Sequence, residues 1–118
     1  MLILALLIVG STLGSPTPAQ MDPEAQAFTD YAAADAAMTV QYRAAMARMR
    51  TRDVPQPMGH TSFADALLHA QRAWLPFRDS ECLAEAFAYQ GPAPGPVDTR
   101  CKTRLTVERT HQLQAIAR

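Results

Sequence analysis

Two cysteines, Cys82 and Cys101, place the strongest constraint on how this 118-residue chain can fold. They are the only cysteines in the chain, so within it they can pair only with each other. Their pairing would indicate an oxidising compartment and a small domain stapled by one disulfide. The alternatives are two free buried thiols in a cytosolic protein and a redox-active pair, although the spacing is not Cys-x-x-Cys.

The first residues resemble an export signal. The chain starts MLILALLIVGSTLG, and small residues and prolines follow up to residue 19. The apolar run is shorter than the ~20 residues that a membrane-spanning helix needs, and its length suits the apolar core of a secretory signal. No Lys or Arg precedes it, and an uncleaved membrane anchor is the alternative. We expect a signal peptide over residues 1–19, a periplasmic or secreted domain over residues 20–118, and no stable membrane insertion after cleavage.

Composition excludes some classes of partner. The part after residue 19 is long enough for one small domain. Eleven basic and eleven acidic side chains cancel. A neutral domain gives no electrostatic argument for nucleic acid or for an anionic membrane.

The spacing of apolar residues predicts three helices and no strand. Asp22 and Pro23 favour the start of a first helix that runs to residue 52. Its larger apolar residues recur at spacings of three, four and seven: Phe28, Tyr31, Met38, Tyr42, Met46 and Met49. A loop over residues 53–60 follows, because two prolines and a glycine stop a helix there.

A second helix starts after Thr61 or Ser62, with Asp65 placed as in a capping box. Its expected apolar face comprises Leu67, Leu68, Trp74, Leu75, Cys82, Leu83, Ala86 and Phe87. Pro76 lies inside it, which predicts a kink or a split into two short helices.

A second loop, residues 90–98, precedes a third helix that we expect Asp98 to cap. Its expected inner residues are Cys101, Leu105, Leu113 and Ile116. The predicted fold class is all-α, a small antiparallel bundle of three main helices stapled by one disulfide.

One carboxylate lies in the apolar stripe of the first helix. Asp35 needs a cationic partner because an unpaired buried charge is costly. Of the available arginines we expect Arg78 to bind it, since a guanidinium can hold a carboxylate with two hydrogen bonds. We expect a structural cluster of polar and aromatic side chains: Asp35, Gln71, Arg72, Trp74, Arg78, Asp79 and Arg109. Trp74 fits a core anchor better than a ligand platform.

No motif points to catalysis or to a cofactor. The three histidines, His60, His69 and His111, lack the His-x-x-x-His spacing of a metal site. A phosphate-binding loop and a nucleophile elbow are also missing from the sequence. Asp35 could act as a general acid or base only with a partner that no motif supplies. We therefore predict a protein that is not an enzyme, without cofactor or metal.

The runs LLHAQRAWLPFRDSEC and CKTRLTVER resemble the LprI-like N-terminal domain family, the lysozyme inhibitor LprI-like domain of exported bacterial proteins. The matching residues are Asp35, Tyr42, Gln71, Arg72, Trp74, Phe77, Arg78, Asp79, Cys82, Gly91, Cys101, Leu105, Thr106, Arg109 and Leu113. Met38 and Thr39 stand where the family has Leu-Asn, and Pro76 and the proline-rich loop are unusual. The resemblance implies an exported, all-α, disulfide-bonded domain.

The same resemblance suggests a function in protein binding. The expected partner is lysozyme or another cell-envelope protein, and residues 53–60 and 90–98 are the segments that could occlude a lysozyme cleft. The alternative is a structural or stress-related module of the cell envelope that makes no contact with lysozyme.

Overall fold

A computed structural model describes residues 10, 13–15, 17–53, 61–92 and 94–118. A short 3₁₀ turn, Pro18–Gln20, precedes three helices: α1 (Pro23–Arg52), α2 (Phe63–Ala88) and α3 (Pro94–Ala117). The described residues contain no strand. The predicted all-α class with three main helices is therefore confirmed.

Helix α1 begins where the sequence predicts. Asp22 caps it, and its Oδ1 accepts a hydrogen bond of 2.8 Å from the backbone N–H of Ala25. Ala27, Ala34 and Ala45 are buried on its inner face together with Met38 and Met46. Phe28 was expected on that face and is 66% exposed, so this part of the prediction is wrong. The small alanines occupy the contact, which lets neighbouring helix backbones approach closely.

Asp53 joins the end of α1 to the start of α2. Its backbone N–H donates to the Met49 carbonyl, which closes α1. Its carboxylate accepts hydrogen bonds from the backbone N–H groups of Phe63, at 2.6 Å, and Ala64, at 3.2 Å. Ser62 is the N-cap residue of α2. Asp53 therefore satisfies amides in the first turn of α2, a role that its place in a predicted loop did not indicate.

Helix α2 is continuous, so the helix is not split at Pro76. Pro76 and Arg72 are both exposed, and water can therefore bond the Arg72 carbonyl that Pro76 leaves without a donor. Leu83 and Phe87 were expected on the apolar face and are 54% and 81% exposed. They follow the buried Cys82 by one and five residues, which turns them about 100° and 140° away from it at 3.6 residues per turn.

Helix α3 begins one turn earlier than predicted, at Pro94. Asp98 is consequently not its cap; its Oδ2 lies 2.8 Å from Lys102 Nζ in an ion pair within the helix. Prolines are tolerated in the first turn because the N–H groups there have no partner inside the helix. Residues 94–98 of the second predicted loop therefore belong to α3.

Contacts between named residues show how the helices run. Arg48 near the end of α1 donates to the carbonyl of Arg118 after α3, at 3.3 Å. A Cβ built on Gly95, at the start of α3, would lie 3.6 Å from Glu24 Oε1 in the first turn of α1. Helices α1 and α3 therefore begin at one end of the bundle and finish at the other, and α2 contacts both in the reverse order.

The two ends of the bundle are held together differently. The hydrophobic core lies towards the end of α1: Met38, Ala45, Met46, Ala64, Leu67 and Leu113. At the other end Cys82 and Cys101 form a disulfide between α2 and α3, with their Cα atoms 5.4 Å apart and both residues buried. The pairing of the two cysteines is confirmed.

Removing the disulfide will lower stability. The Cys82→Ala/Cys101→Ala variant should lose about 3 kcal/mol of unfolding free energy, because the bond closes a loop of about 20 residues in the unfolded chain. Urea denaturation followed by circular dichroism measures this loss. Dithiothreitol should destabilise the natural protein by a similar amount and leave the variant unchanged. Equal stability of the two proteins would contradict the prediction.

Candidate functional site

The side chain of Arg78 lies where the three helices meet. Arg78 is only 5% exposed. Its Nε donates to Asp79 Oδ1 on α2 at 2.9 Å. Its Nη1 lies 3.4 Å from Asp35 Oδ1 on α1 and 3.3 Å from Thr106 Oγ1 on α3. Asp35 thus pairs with the arginine that the sequence favoured, and one guanidinium contacts all three helices.

Aromatic rings surround the same guanidinium. The Arg78 Cζ atom lies 5.3 Å from the centroid of the Tyr31 ring and 5.4 Å from that of Trp74. The Cζ of Arg109 lies 6.0 Å from the centroid of the Trp74 ring. Cation–π attraction strengthens when water is excluded, as it is around Arg78. Trp74 is partly buried and packs against the hydrophobic core, in agreement with its expected role as an anchor.

Gln71 makes a second contact between the three helices. It is 6% exposed. Its Oε1 accepts a hydrogen bond of 3.0 Å from Arg109 Nε on α3, and its Nε2 lies 3.6 Å from the Met38 sulfur on α1. Arg109 Nη1 also donates to Gln112 Oε1 at 3.0 Å. Burial lowers the pKa of Arg109, because desolvation disfavours the charged guanidinium.

Six of the seven expected cluster residues therefore come together. They are Asp35, Gln71, Trp74, Arg78, Asp79 and Arg109. Arg72 is exposed and takes part in none of the hydrogen bonds or ion pairs between described residues. We call the six, together with Tyr31 and Thr106, the arginine junction.

Tyr31 and Thr106 were not predicted to take part in this contact. Tyr31 lies one helical turn before Asp35, and Thr106 lies two turns before the buried Leu113. Those spacings put each residue on the inner face of its helix and could have identified it. A threonine that is fully buried also requires a hydrogen-bond partner, which Arg78 supplies.

The geometry of the junction favours a structural role. Arg78 Nη1 contacts the two neighbouring helices and Nε contacts Asp79 on its own helix, so its two carboxylate partners compensate its charge. In the described part of the chain, no group of three or more His, Cys, Asp or Glu side chains could hold a metal ion. We propose that the arginine junction holds the helices in register, and that binding takes place on the outer surface.

The structure describes only part of the two segments that we expect to reach a partner. Residues 54–60 of the first lie outside the described residues. In the second, residues 90–92 form an exposed bend between α2 and α3. The disulfide ties the two helices on either side of this bend. The exposed bend therefore connects two helices whose relative movement is limited by the disulfide.

Comparison with known proteins identifies the family. A family model described as lysozyme inhibitor LprI matches residues 14–113. The chain belongs to this family. An uncharacterized protein of Rhizobium meliloti (strain 1021) is 35% identical over 101 residues, which cover 82% of this chain and 73% of that protein. No solved structure matches the chain.

The LprI match spans the junction and the disulfide together. It covers every residue of the arginine junction and both cysteines. The motif residues by which the sequence resembles the LprI-like family are therefore largely those that join the three helices.

The junction can be tested by leaving its buried charge unpaired. The Asp35→Asn/Asp79→Asn variant keeps the Arg78 guanidinium but removes both carboxylates, which should cost about 1–3 kcal/mol of unfolding free energy, less than for a fully buried pair because both carboxylates are half-exposed. Chemical denaturation measures the loss, and the single Asp35→Asn change should cost less because Asp79 still pairs. Adding Arg78→Met to the double variant should restore part of the stability, since no buried charge remains. A double variant as stable as the natural protein would refute the role of this pairing.

Proposed function

We propose that this protein is an exported, non-catalytic domain that binds lysozyme or another cell-envelope protein and inhibits lysozyme by covering its active site. The observation that carries the proposal is the LprI lysozyme inhibitor match over residues 14–113. The proposed activity needs no cofactor, since blocking a cleft requires only a surface that fits it.

Two features support export to the periplasm or the medium. The Cys82–Cys101 disulfide is typical of oxidising compartments. The apolar start of the chain is typical of a leader, and we propose that residues 1–19 are removed to leave residues 20–118. Most of this leader lies outside the described residues. None of the described helices combines the length and apolar content of a membrane span.

Inhibition by occlusion suits the chemistry of the target. Lysozyme cleaves its substrate with two carboxyl groups that flank the scissile bond. A protein segment seated between them excludes the polysaccharide without any reaction. The exposed bend at residues 90–92 is a candidate for such a segment, because the disulfide limits the freedom of the helices that carry it. Pre-organised segments lose less conformational entropy on binding.

A lysis assay tests the proposed function. The protein, purified after export by a bacterial host, is mixed with lysozyme, and the clearing of a peptidoglycan suspension is followed. We expect inhibition that approaches completion as the inhibitor exceeds the enzyme. The Cys82→Ala/Cys101→Ala variant should inhibit less, because its α2–α3 turn is no longer constrained. Undiminished lysozyme turnover at a large molar excess would remove lysozyme as the target and favour a structural module of the cell envelope.

A further inference from the structure

The charges of this neutral chain are separated between the two ends of the bundle. Every Lys, Arg, Asp and Glu lies among the described residues. We define the acidic end as residues 22–37, 78–92 and 94–105, which carry eight of the eleven carboxylates and four of the eleven basic side chains. The rest of the bundle, with Asp53 and Arg118 next to the helix ends, is the basic end and carries three carboxylates and seven arginines. The separation arises because the acidic start of α1 lies beside the acidic C-terminal half of α2, whereas residues 94–105 of α3 carry one carboxylate and three basic side chains.

Helix stability does not account for the carboxylates of α2. Glu81 and Glu85 lie in its C-terminal turns, and its last turn has no basic residue. Negative charge near a helix C-terminus opposes the helix dipole. Glu85 is offset by an ion pair with Arg104 across to α3, at 2.7 Å. Glu81 is exposed and has no ion-pair partner among the described residues, so its charge is available to an outside partner.

An apolar groove opens at the same end. Its volume is about 470 Å³, and its walls are Leu83, Ala86, Phe87, Tyr89, Gly95 and Asp98. Phe87 is 81% exposed and Leu83 is 54% exposed. Such residues on adjacent turns of one helix form a patch that can mark a protein contact. The carboxylate of Glu24, near Gly95, adds negative charge to the patch, whereas that of Asp98, in the wall, is paired with Lys102.

We propose that the acidic end docks a basic protein surface, with Phe87 and Leu83 as the apolar anchors. This inference rests on the proposed function, and within it the partner surface is the basic face of a lysozyme. Large apolar side chains near the centre of a contact carry most of the binding energy. Opposite charges around them accelerate association and disfavour the wrong orientation. The basic end repels the same partner, so docking takes place at one end only.

Matched variants on the surface of the bundle test the docking site. Phe87→Ser removes an anchor, and Phe77→Ser makes the same change ten residues earlier on α2, about 15 Å away. Glu81→Lys reverses a charge at the acidic end, and Glu108→Lys makes the same reversal at the basic end. All four residues are exposed, so each variant should fold; circular dichroism and intact mass check the fold and the disulfide.

Binding of a basic lysozyme is measured by surface plasmon resonance at low and high salt. Phe87→Ser should weaken affinity at least tenfold and Glu81→Lys should slow association severalfold, while Phe77→Ser and Glu108→Lys stay within about threefold of the natural protein. Added salt should slow association of the natural protein, because it screens exposed charges.

The outcomes separate this inference from the proposed function. If the natural protein neither binds nor inhibits lysozyme, both fail. If it inhibits while Phe87→Ser and Glu81→Lys bind normally, or while only the controls lose affinity, the docking site is wrong and the function stands. A free protein that is a dimer, and that Phe87→Ser turns into a monomer, would show that a second copy occupies the groove and would also overturn the inference.

Discussion

The buried guanidinium of Arg78 is the contact on which the arrangement of the helices depends. A desolvated cation is stable only where carboxylates, hydroxyls or aromatic faces meet it. Here Asp35 and Tyr31 approach from α1, Asp79 from α2 itself and Thr106 from α3. Each partner has a fixed position on its helix, so sliding any helix by one turn would break these contacts with Arg78. The junction therefore specifies register, which the alanine-rich inner face of α1 specifies only weakly.

The two ends of the bundle are stabilised by different kinds of contact. Large apolar side chains fill the core around Met38, Met46 and Leu113, at the basic end. The acidic end instead has the disulfide and few large buried side chains, and the arginine junction lies between the two ends. Leu83 and Phe87 are consequently not needed in the core and remain on the surface. In an LprI-family domain this leaves an apolar groove beside the constrained α2–α3 turn.

Features set by local spacing could be predicted from the sequence. The Asp22 cap and the extent of α1 are of this kind, whereas the cysteine pair and the Asp35–Arg78 contact could be predicted because each group requires a partner. The start of α3 could not be predicted from the sequence, because prolines that end a helix also fit the first turn of the next one. The exposure of Phe28 and Phe87 depends on which faces the other helices cover. The charge separation depends on the opposite directions of α1 and α2, which place the acidic start of α1 beside the acidic C-terminal half of α2, and the net charge of zero does not reveal it.

Amide hydrogen exchange tests most directly whether one side chain holds three helices. Exchange is compared between the natural protein and the Arg78→Ala variant under conditions where both are folded. The account predicts that protection falls together in the segments that contact Arg78 on α1, α2 and α3, around residues 31–38, 74–82 and 103–110. A loss of protection confined to α2 would show that Arg78 stabilises only its own helix and would contradict the account.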